Sequence, residues 1–276
     1  MKFYLRRQDL ENAAAIASKI RSTTGWSAVV TRNTAGVCLV AFPAVKIQAS
    51  DADWQTRLIC SDLTGTASIA IIDTDAAITV EPELAHVPVM LDMNASDLRK
   101  ALKAGGQKTH NNAVCLEYDL GTLRCVDSGV RIEFKIIDLT ALVIPLYIKT
   151  WSTVDAAAFK SAVNGLVADG NFLNVAMIDL GQGKKPNEVC IKMRSALAWN
   201  RSTIQGAALG DIEDAAPKRR VVSINALAAM AQVIDKSNGG ELEISHADPA
   251  VGAGNLFLLL RYANVTIIAS YRKAVI

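Results

Sequence analysis

A single pattern recurs four times along this chain and limits what it can fold into. An extended stretch leads into a polar cap, a short amphipathic helix follows, and then come a break and further extended stretches. The copies are "FYLRRQDLENAAAIASKIRSTTG", "VMLDMNASDLRKALKAGG", "IKTWSTVDAAAFKSAVNGLVADG" and "RRVVSINALAAMAQVIDKSNGG". Each copy has one short helix to cover its strands, so a lone unit leaves its apolar face poorly buried. Pairing two units closes a better core. Four units therefore predict two domains of two units each.

The helices carry start and stop signals. Asn94, Asp155 and Asn225 are expected N-caps, because a short side-chain oxygen accepts from free backbone N–H groups. The first copy starts more weakly, at Arg7-Gln8-Asp9. Gly25, Gly105, Gly165 or Gly170, and Gly239 are expected to end the helices in left-handed backbone conformations. Apolar residues follow helical spacing: Leu10, Ala13, Ala17 and Ile20, then Leu98, Ala101 and Leu102. The third copy has Phe159, Ala162, Val163 and Leu166, and the fourth has Leu227, Met230, Val233 and Ile234.

Between helices the pattern changes to period two or to short apolar runs. In "AVCLEYDLGTLRCVDSGVRIEFKII" two strands flank a "DLG" turn, and "VRIEFKI" alternates apolar with charged. "NFLNVAMIDL", "NEVCIKMRSALAW", "GELEIS" and "NLFLLLRYANVTIIASY" read as further strands. Strands outnumber helices by about three to one with hairpin-like breaks, which predicts an α+β fold with mostly antiparallel sheets. The N-terminal domain is expected over 1–137 and the C-terminal domain over 149–276. A connector over 138–148 contains Pro145, which suits a linker or an edge strand.

Hydrophobic residues make up 51% of the 276 and charged residues 20%, enough for two folded cores. Aromatics are only 5%, so the cores must be mainly Ala, Val, Ile and Leu. Charges at the N-terminus occupy the place where a secretory signal needs an apolar core. Runs such as "LFLLL" are too short to span a bilayer. The expectation is a cytoplasmic protein with no membrane partner. Cys38, Cys60, Cys115, Cys125 and Cys190 are odd in number, widely spaced and without CxxC, so they are expected as reduced thiols in strands.

Nothing in the sequence assembles a catalytic site, and no metal or cofactor is expected. His86, His110 and His246 share no ligand spacing with Cys, Asp or Glu. Asp73, Asp75 and Glu81 fall in an expected loop and strand end. Nucleophile-elbow, P-loop, zinc-protease and dinucleotide fingerprints are missing. "DLGQGKKPNE" lacks the GKS/T order and a following helix, so it reads as a hairpin loop. The expectation is a protein that is not an enzyme.

With the repeats in view, the chain resembles a DNA sliding clamp. The fourth copy, "VVSINALAAMAQVIDKSNGGELEISHADP…NLFLLLRYANVTIIASYRKAVI", is similar to the last domain of bacterial clamps. There an Asn-capped helix precedes a strand of the "EVELEF" type and a terminal hairpin with a short apolar tail. The second copy, "NASDLRKALKAGG…AVCLEYDLGTLRCVDSG", resembles the family's "L..AL…V.LE…G.L.L.A.DG" pattern. The resemblance implies the DNA-clamp fold: four β-α-β-β-β units in two domains, with antiparallel sheets outside and short helices inside a ring. Bacterial clamps carry three domains per chain and close as dimers, whereas archaeal, eukaryotic and some phage clamps carry two and close as trimers. Four units imply the two-domain, homotrimeric plan. A phage-encoded clamp would combine that plan with the bacterial texture, placing it in the host cytoplasm or nucleoid.

A clamp performs no bond chemistry. It encircles duplex DNA without reading sequence and tethers a polymerase, so its inner wall must attract phosphates. The net charge of +2 rules out a wholly basic protein but permits one positive face. The resemblance puts Arg99, Lys100 and Lys103 on that wall, followed by Lys108. Arg6, Arg7, Lys19 and Arg21 around the first helix, Lys160 on the third and Lys236 on the fourth are the other candidates. The third and fourth helices carry few cations. "KRR" at 218–220 either contacts DNA at the ring's rim or forms a solvated turn.

Ring closure in the family pairs edge strands of neighbouring chains. The matching strands are 130–137, with Val130, Ile132 and Phe134, and 197–205, with Leu197, Trp199 and Arg201. Clamps hold the polymerase and the clamp loader through short peptide motifs in an apolar pocket. Here the resemblance implies Leu139, Leu142, Val143, Ile144 and Pro145 from the connector, with Tyr271, Val275 and Ile276 from the tail. The competing expectation is a non-enzymatic oligomeric phage structural or assembly protein of duplicated α+β units.

Overall fold

The computed structural model describes residues 1–20, 36–43, 54–61, 68–74, 77–79, 89–105, 112–136, 146–168, 172–180, 188–195, 199–208, 218–235, 239–249 and 256–273. The chain divides into two compact units, one of residues 1–61 and 71–142, the other of 62–70 and 143–276. Among the described residues there are 17 strands and four helices.

The first unit contains β1 (Lys2–Arg6), α1 (Arg7–Ile20), β2 (Gly36–Pro43), β3 (Trp54–Ser61), β4 (Ser68–Thr74) from residue 71 onward and β5 (Ala77–Thr79). Then follow β6 (Val89–Asn94), α2 (Ala95–Ala104), β7 (Ala113–Asp119), β8 (Thr122–Cys125) and β9 (Phe134–Ile136). One sheet has the order β5-β1-β7-β8, and a second runs β4-β3-β2-β6-β9. Strand β1 shows how sequence sets the sheet. Phe3 and Leu5 are fully buried while Tyr4 and Arg6 point out, so one face meets the helices. The turn between β7 and β8 places Leu120 and Gly121 at φ 43° and 76°, which closes a two-residue hairpin in register Asp119↔Thr122.

The second unit contains β10 (Leu146–Asp155), α3 (Ala156–Ala168), β11 (Phe172–Leu180), β12 (Glu188–Ser195), β13 (Trp199–Ala208) and β14 (Lys218–Ser223). It continues with α4 (Ile224–Val233), β15 (Glu241–Pro249), β16 (Leu256–Tyr262) and β17 (Val265–Lys273). Its strands run β14-β11-β12-β13-β10-β15-β16-β17. Strand β17 also meets β14, at Arg220↔Lys273 and Val221↔Arg272, so the sheet closes on itself.

The same order is present in the first unit. Segment 130–136 first bonds β8, through Cys125 N–H to Val130 O and Ile132 N–H to Leu123 O, and then pairs with β6. This mirrors β17, which runs along β16 and reaches β14 at its end. The ladders joining β1 to β7, β2 to β6, β11 to β12 and β16 to β17 are all antiparallel, as the hairpin spacing predicts.

Each unit buries two helices against one another. In the first, Leu10, Ala13, Ala14, Ile16 and Ile20 of α1 meet Leu98, Ala101 and Leu102 of α2 in the core. In the second, Phe159, Val163 and Leu166 of α3 share the core with Ala226, Leu227, Met230 and Ile234 of α4. Burying each Leu, Ile or Phe contributes about 1.5–3 kcal/mol. The cysteines all lie in strands, and Cys60, Cys115 and Cys125 are buried free thiols. Burial pushes the Cys115 thiol up, which keeps it protonated and unreactive.

Several local expectations change. Asn94 and Asp155 do cap: Asn94 Oδ1 accepts from Ser96 and Asp97 N–H at 2.9 and 3.3 Å, and Asp155 Oδ1 from Ala158 N–H at 2.7 Å. Asn225 does not cap, because α4 already begins at Ile224 and leaves Ser223 in front of it. Gly105 ends α2 in right-handed geometry, at φ −68°, with its N–H on Ala101 O. Gly165 lies inside α3, and Gly25 and Gly170 fall outside the described residues. Gly239 takes the left-handed geometry, at φ 57°. Residues 218–220 are strand, facing Leu180, Asp179 and Ile178, and do not form a turn. Leu146, Tyr147 and Ile148, expected in the connector, pair with Pro249, Asp248 and Ala247.

Candidate nucleic-acid interface

The cationic surface of the first unit is built on α1 and α2. Because Leu98, Ala101 and Leu102 point inward, the intervening Arg99, Lys100 and Lys103 are exposed. Lys19, in the last turn of α1, is exposed as well. Both helices place a cation in the last turn, where the helix dipole favours positive charge.

Exposure alone does not make these cations equivalent. Arg99 reaches across to α1 and donates to Ala14 O and Ser18 Oγ, both at 2.7 Å. Arg7 reaches the other way: its Nη2 donates to Leu102 O at 2.5 Å, while Nε pairs with Glu11 at 2.7 Å. Leu102 O is among the carbonyls that a helix C-terminus leaves without an intrahelical donor. The two arginines thus tie α1 to α2 from opposite sides. Lys100 pairs with Asp97 at 3.1 Å, but its side chain is 69% exposed, so water screens the pair and leaves the ammonium available to a stronger anion. Neither Lys19 nor Lys103 has a hydrogen bond or ion pair among the described residues.

The second unit repeats the tie with one cation. Lys160 on α3 donates to Ile234 O at 2.5 Å, just past the end of α4. No other charged residue lies on either helix. The surface is completed by Ser161, Asn164, Gly165 and Gln232, which are exposed and neutral.

Arg6 is exposed at the end of β1. Arg21, Lys108, Lys236, Leu139, Leu142, Val143, Ile144, Pro145, Leu197, Val275 and Ile276 lie outside the described residues. Tyr271 stands in β17 opposite Leu256. Trp199 and Arg201 lie in β13, opposite Arg194 and Lys192 of β12. Val130 is half-buried and Ile132 is buried within its own unit. Phe134 meets Tyr118 edge to face at 5.5 Å. Asp73 lies in β4, paired with Arg57 at 2.8 Å. Among the described residues no group of His, Cys, Asp and Glu is arranged to hold a metal ion.

Sequence reasoning missed Ser18 and the carbonyls of Ala14, Leu102 and Ile234, which occupy three of the candidate cations. Nothing in the sequence marks a carbonyl as an acceptor for a side chain about 90 residues away.

Two helices backed by the same antiparallel strand order, repeated twice, can be compared with solved structures. The match covers almost the entire chain. A DNA polymerase sliding clamp from Pseudomonas aeruginosa superposes with a TM-score of 0.64 at 11% identity, covering 99% of this chain and 67% of its own. The beta subunit of DNA polymerase III from Thermotoga maritima gives 0.60 at 11% identity, with 99% and 65% covered. The corresponding subunit from Borrelia burgdorferi gives 0.61 at 12%, with 100% and 65% covered.

This chain has the DNA-clamp fold.

The clamp fold is reached here at an identity too low for any sequence match. No protein-family model matches the chain, and no curated protein sequence does. The chain spans 65% of the length of the Thermotoga maritima subunit. No helix among the described residues is long and apolar enough to cross a membrane.

Proposed function

We propose that this chain is a subunit of a DNA sliding clamp. It encircles duplex DNA without sequence preference, tethers a replicative polymerase and catalyses nothing itself. The observation that carries this reading is the clamp fold over the whole chain together with a cationic surface on α1 and α2. Lys19, Lys100 and Lys103 would hold phosphates, and Lys108, Arg6 and Arg21 are further candidates from the sequence. Such contacts are sequence-independent and weaken with salt, which is what sliding requires.

The ring is a homotrimer in this reading. The covered share of bacterial clamps, 65–67%, is what two domains of three would give, and three such chains restore six domains. Two edges support the head-to-tail contact. Strand β9 stands last in its sheet beside β6. Residues 199–205 of β13 pair with β12, whereas β10 joins β13 only from Gly206 onward. Each edge leaves backbone groups for a neighbouring strand. The polymerase and loader peptides would dock on the connector residues and the tail, as the family resemblance implies. A cytoplasmic site and a phage source complete the proposal.

The test is retention on circular primed DNA. A clamp is loaded by its loader, stays bound, and is lost when the circle is cut. Loss at the same rate from intact and cut circles would sink the reading, and would favour a structural or assembly protein. Light scattering that returned only the 29.5 kDa monomer at every concentration would remove the trimer.

A further inference from the structure

The start of α2 holds more than its own helix. A capping box places the N-cap side chain on the third helical N–H, and the third side chain back on the N-cap N–H. Here Asn94 fulfils its half, accepting from Ser96 and Asp97. The other half is redirected. Asn94 N–H donates to Glu133 O at 2.7 Å, and Glu133 N–H donates to Asp97 Oδ2 at 3.4 Å. Both backbone groups of Glu133 thus take the places that the box would have closed on itself.

Glu133 occupies a decisive position. Residues 130–132 bond to β8 of one sheet, and 134–136 pair with β6 of the other, in register Met93↔Phe134, Asp92↔Lys135 and Leu91↔Ile136. The chain crosses between sheets at Glu133. A three-residue strand at the end of a sheet is weakly registered by its ladder alone. The second unit differs: the third residue of α4 is Ala226, which has no side-chain acceptor, and its crossing strand β17 is nine residues long.

We propose that Asp97 is a positioning residue that sets the register and direction of the edge strand β9, and through it the contact with a second copy of this chain. The role in self-association rests on the ring reading above; the role in holding β9 does not.

Hydrogen exchange across residues 132–137 tests the hold. Asp97→Ala should speed exchange there about tenfold, the loss of one hydrogen bond to a charged acceptor. Asp97→Asn keeps an acceptor but removes the ion pair with Lys100, and should exchange as the wild type does. Glu133→Pro removes the donor instead of the acceptor and should reproduce Asp97→Ala, which guards against global unfolding of either variant. Wild-type exchange in both Asp97→Ala and Glu133→Pro overturns the proposal, as does acceleration in Asp97→Asn equal to that in Asp97→Ala. Sedimentation separates the two readings. Weaker self-association in Asp97→Ala but not in Asp97→Asn supports the positioning role at the interface. A chain that never associates sinks the ring, while exchange still decides the hold on β9.

Discussion

The two units share a strand order and a helix pair but expose different chemistry. In the first, α1 and α2 present Lys19, Arg99, Lys100 and Lys103. In the second, α3 and α4 carry Lys160 as their one charged side chain, and it is turned onto a carbonyl. The shared part is what packing demands: a cation from the first helix sits on a C-terminal carbonyl of the second, Arg7 on Leu102 and Lys160 on Ile234. The part that differs is solvated surface, which the fold leaves free to vary. Likeness of architecture between the repeats therefore says little about equal division of DNA binding.

Substitutions can break this comparison in a graded way. Phe159→Ala and Leu10→Ala remove fully buried side chains at matching places in the two helix pairs. They should cost about 3–5 and about 2–5 kcal/mol respectively in chemical denaturation. Independent unfolding of the two units would appear as two transitions, each moved by only one of the variants.

Next in size is the helix tie. Arg99→Ala removes two bonds from a charged donor and should destabilise the first unit by about 1.5–3 kcal/mol. Lys160→Ala, which removes the tie of the second unit, should fall in the same range, because the acceptor is again a carbonyl and the donor again a cation. A change in DNA retention without a change in stability would show that Arg99 binds phosphate rather than α1.

Smaller still in stability, but largest in DNA retention, is the joint replacement of Lys19, Lys100 and Lys103 by Ala. The melting temperature should stay nearly constant. Retention should fall, and the slope of log affinity against log salt should flatten by about 0.9 for each phosphate no longer neutralised. Unchanged retention would move the DNA surface away from α1 and α2.

The smallest effect is on the outer hairpins, where the units are most alike. Glu117 pairs with Arg124 across β7 and β8, and Glu243 with Arg261 across β15 and β16. The Arg124 hydrogen bond, reinforced by Lys2 at 3.4 Å, holds the Glu117 carboxyl below the usual glutamate range. A depressed carboxyl stabilises the fold above its unfolded-state pKa and loses that contribution as pH falls through the lower folded value. Glu117→Gln should therefore flatten the decline in melting temperature at acid pH, and leave neutral stability slightly reduced.

Much of the architecture was readable in the residues. The short side chain of Asn94 before an apolar stripe marked the start of α2, and the stripe marked its buried face. The alternation in "VRIEFKI" marked a segment with one face inward, Ile132 buried between exposed Arg131 and Glu133. Where local chemistry had two solutions, the residues misled. Asn225 looks like a cap, but Ser223 sits ahead of it and α4 begins one residue earlier. "KRR" at 218–220 left a rim contact and a solvated turn both open, and strand β11 offers a ladder that satisfies its backbone as strand, not turn. Gly105 looks left-handed, but the α2 backbone simply continues through it.

The sequence by itself determined the repeat, the caps at Asn94 and Asp155 and the cationic stripe of α2, because these depend on neighbours within one helical turn or one strand. The tertiary structure alone decided which cations are occupied. Arg7 and Arg99 find their acceptors 95 and 85 residues away, on carbonyls whose type is the same at every position. It also decided that Glu133 completes the cap of α2, since a hydrogen bond between backbone groups carries no side-chain signature.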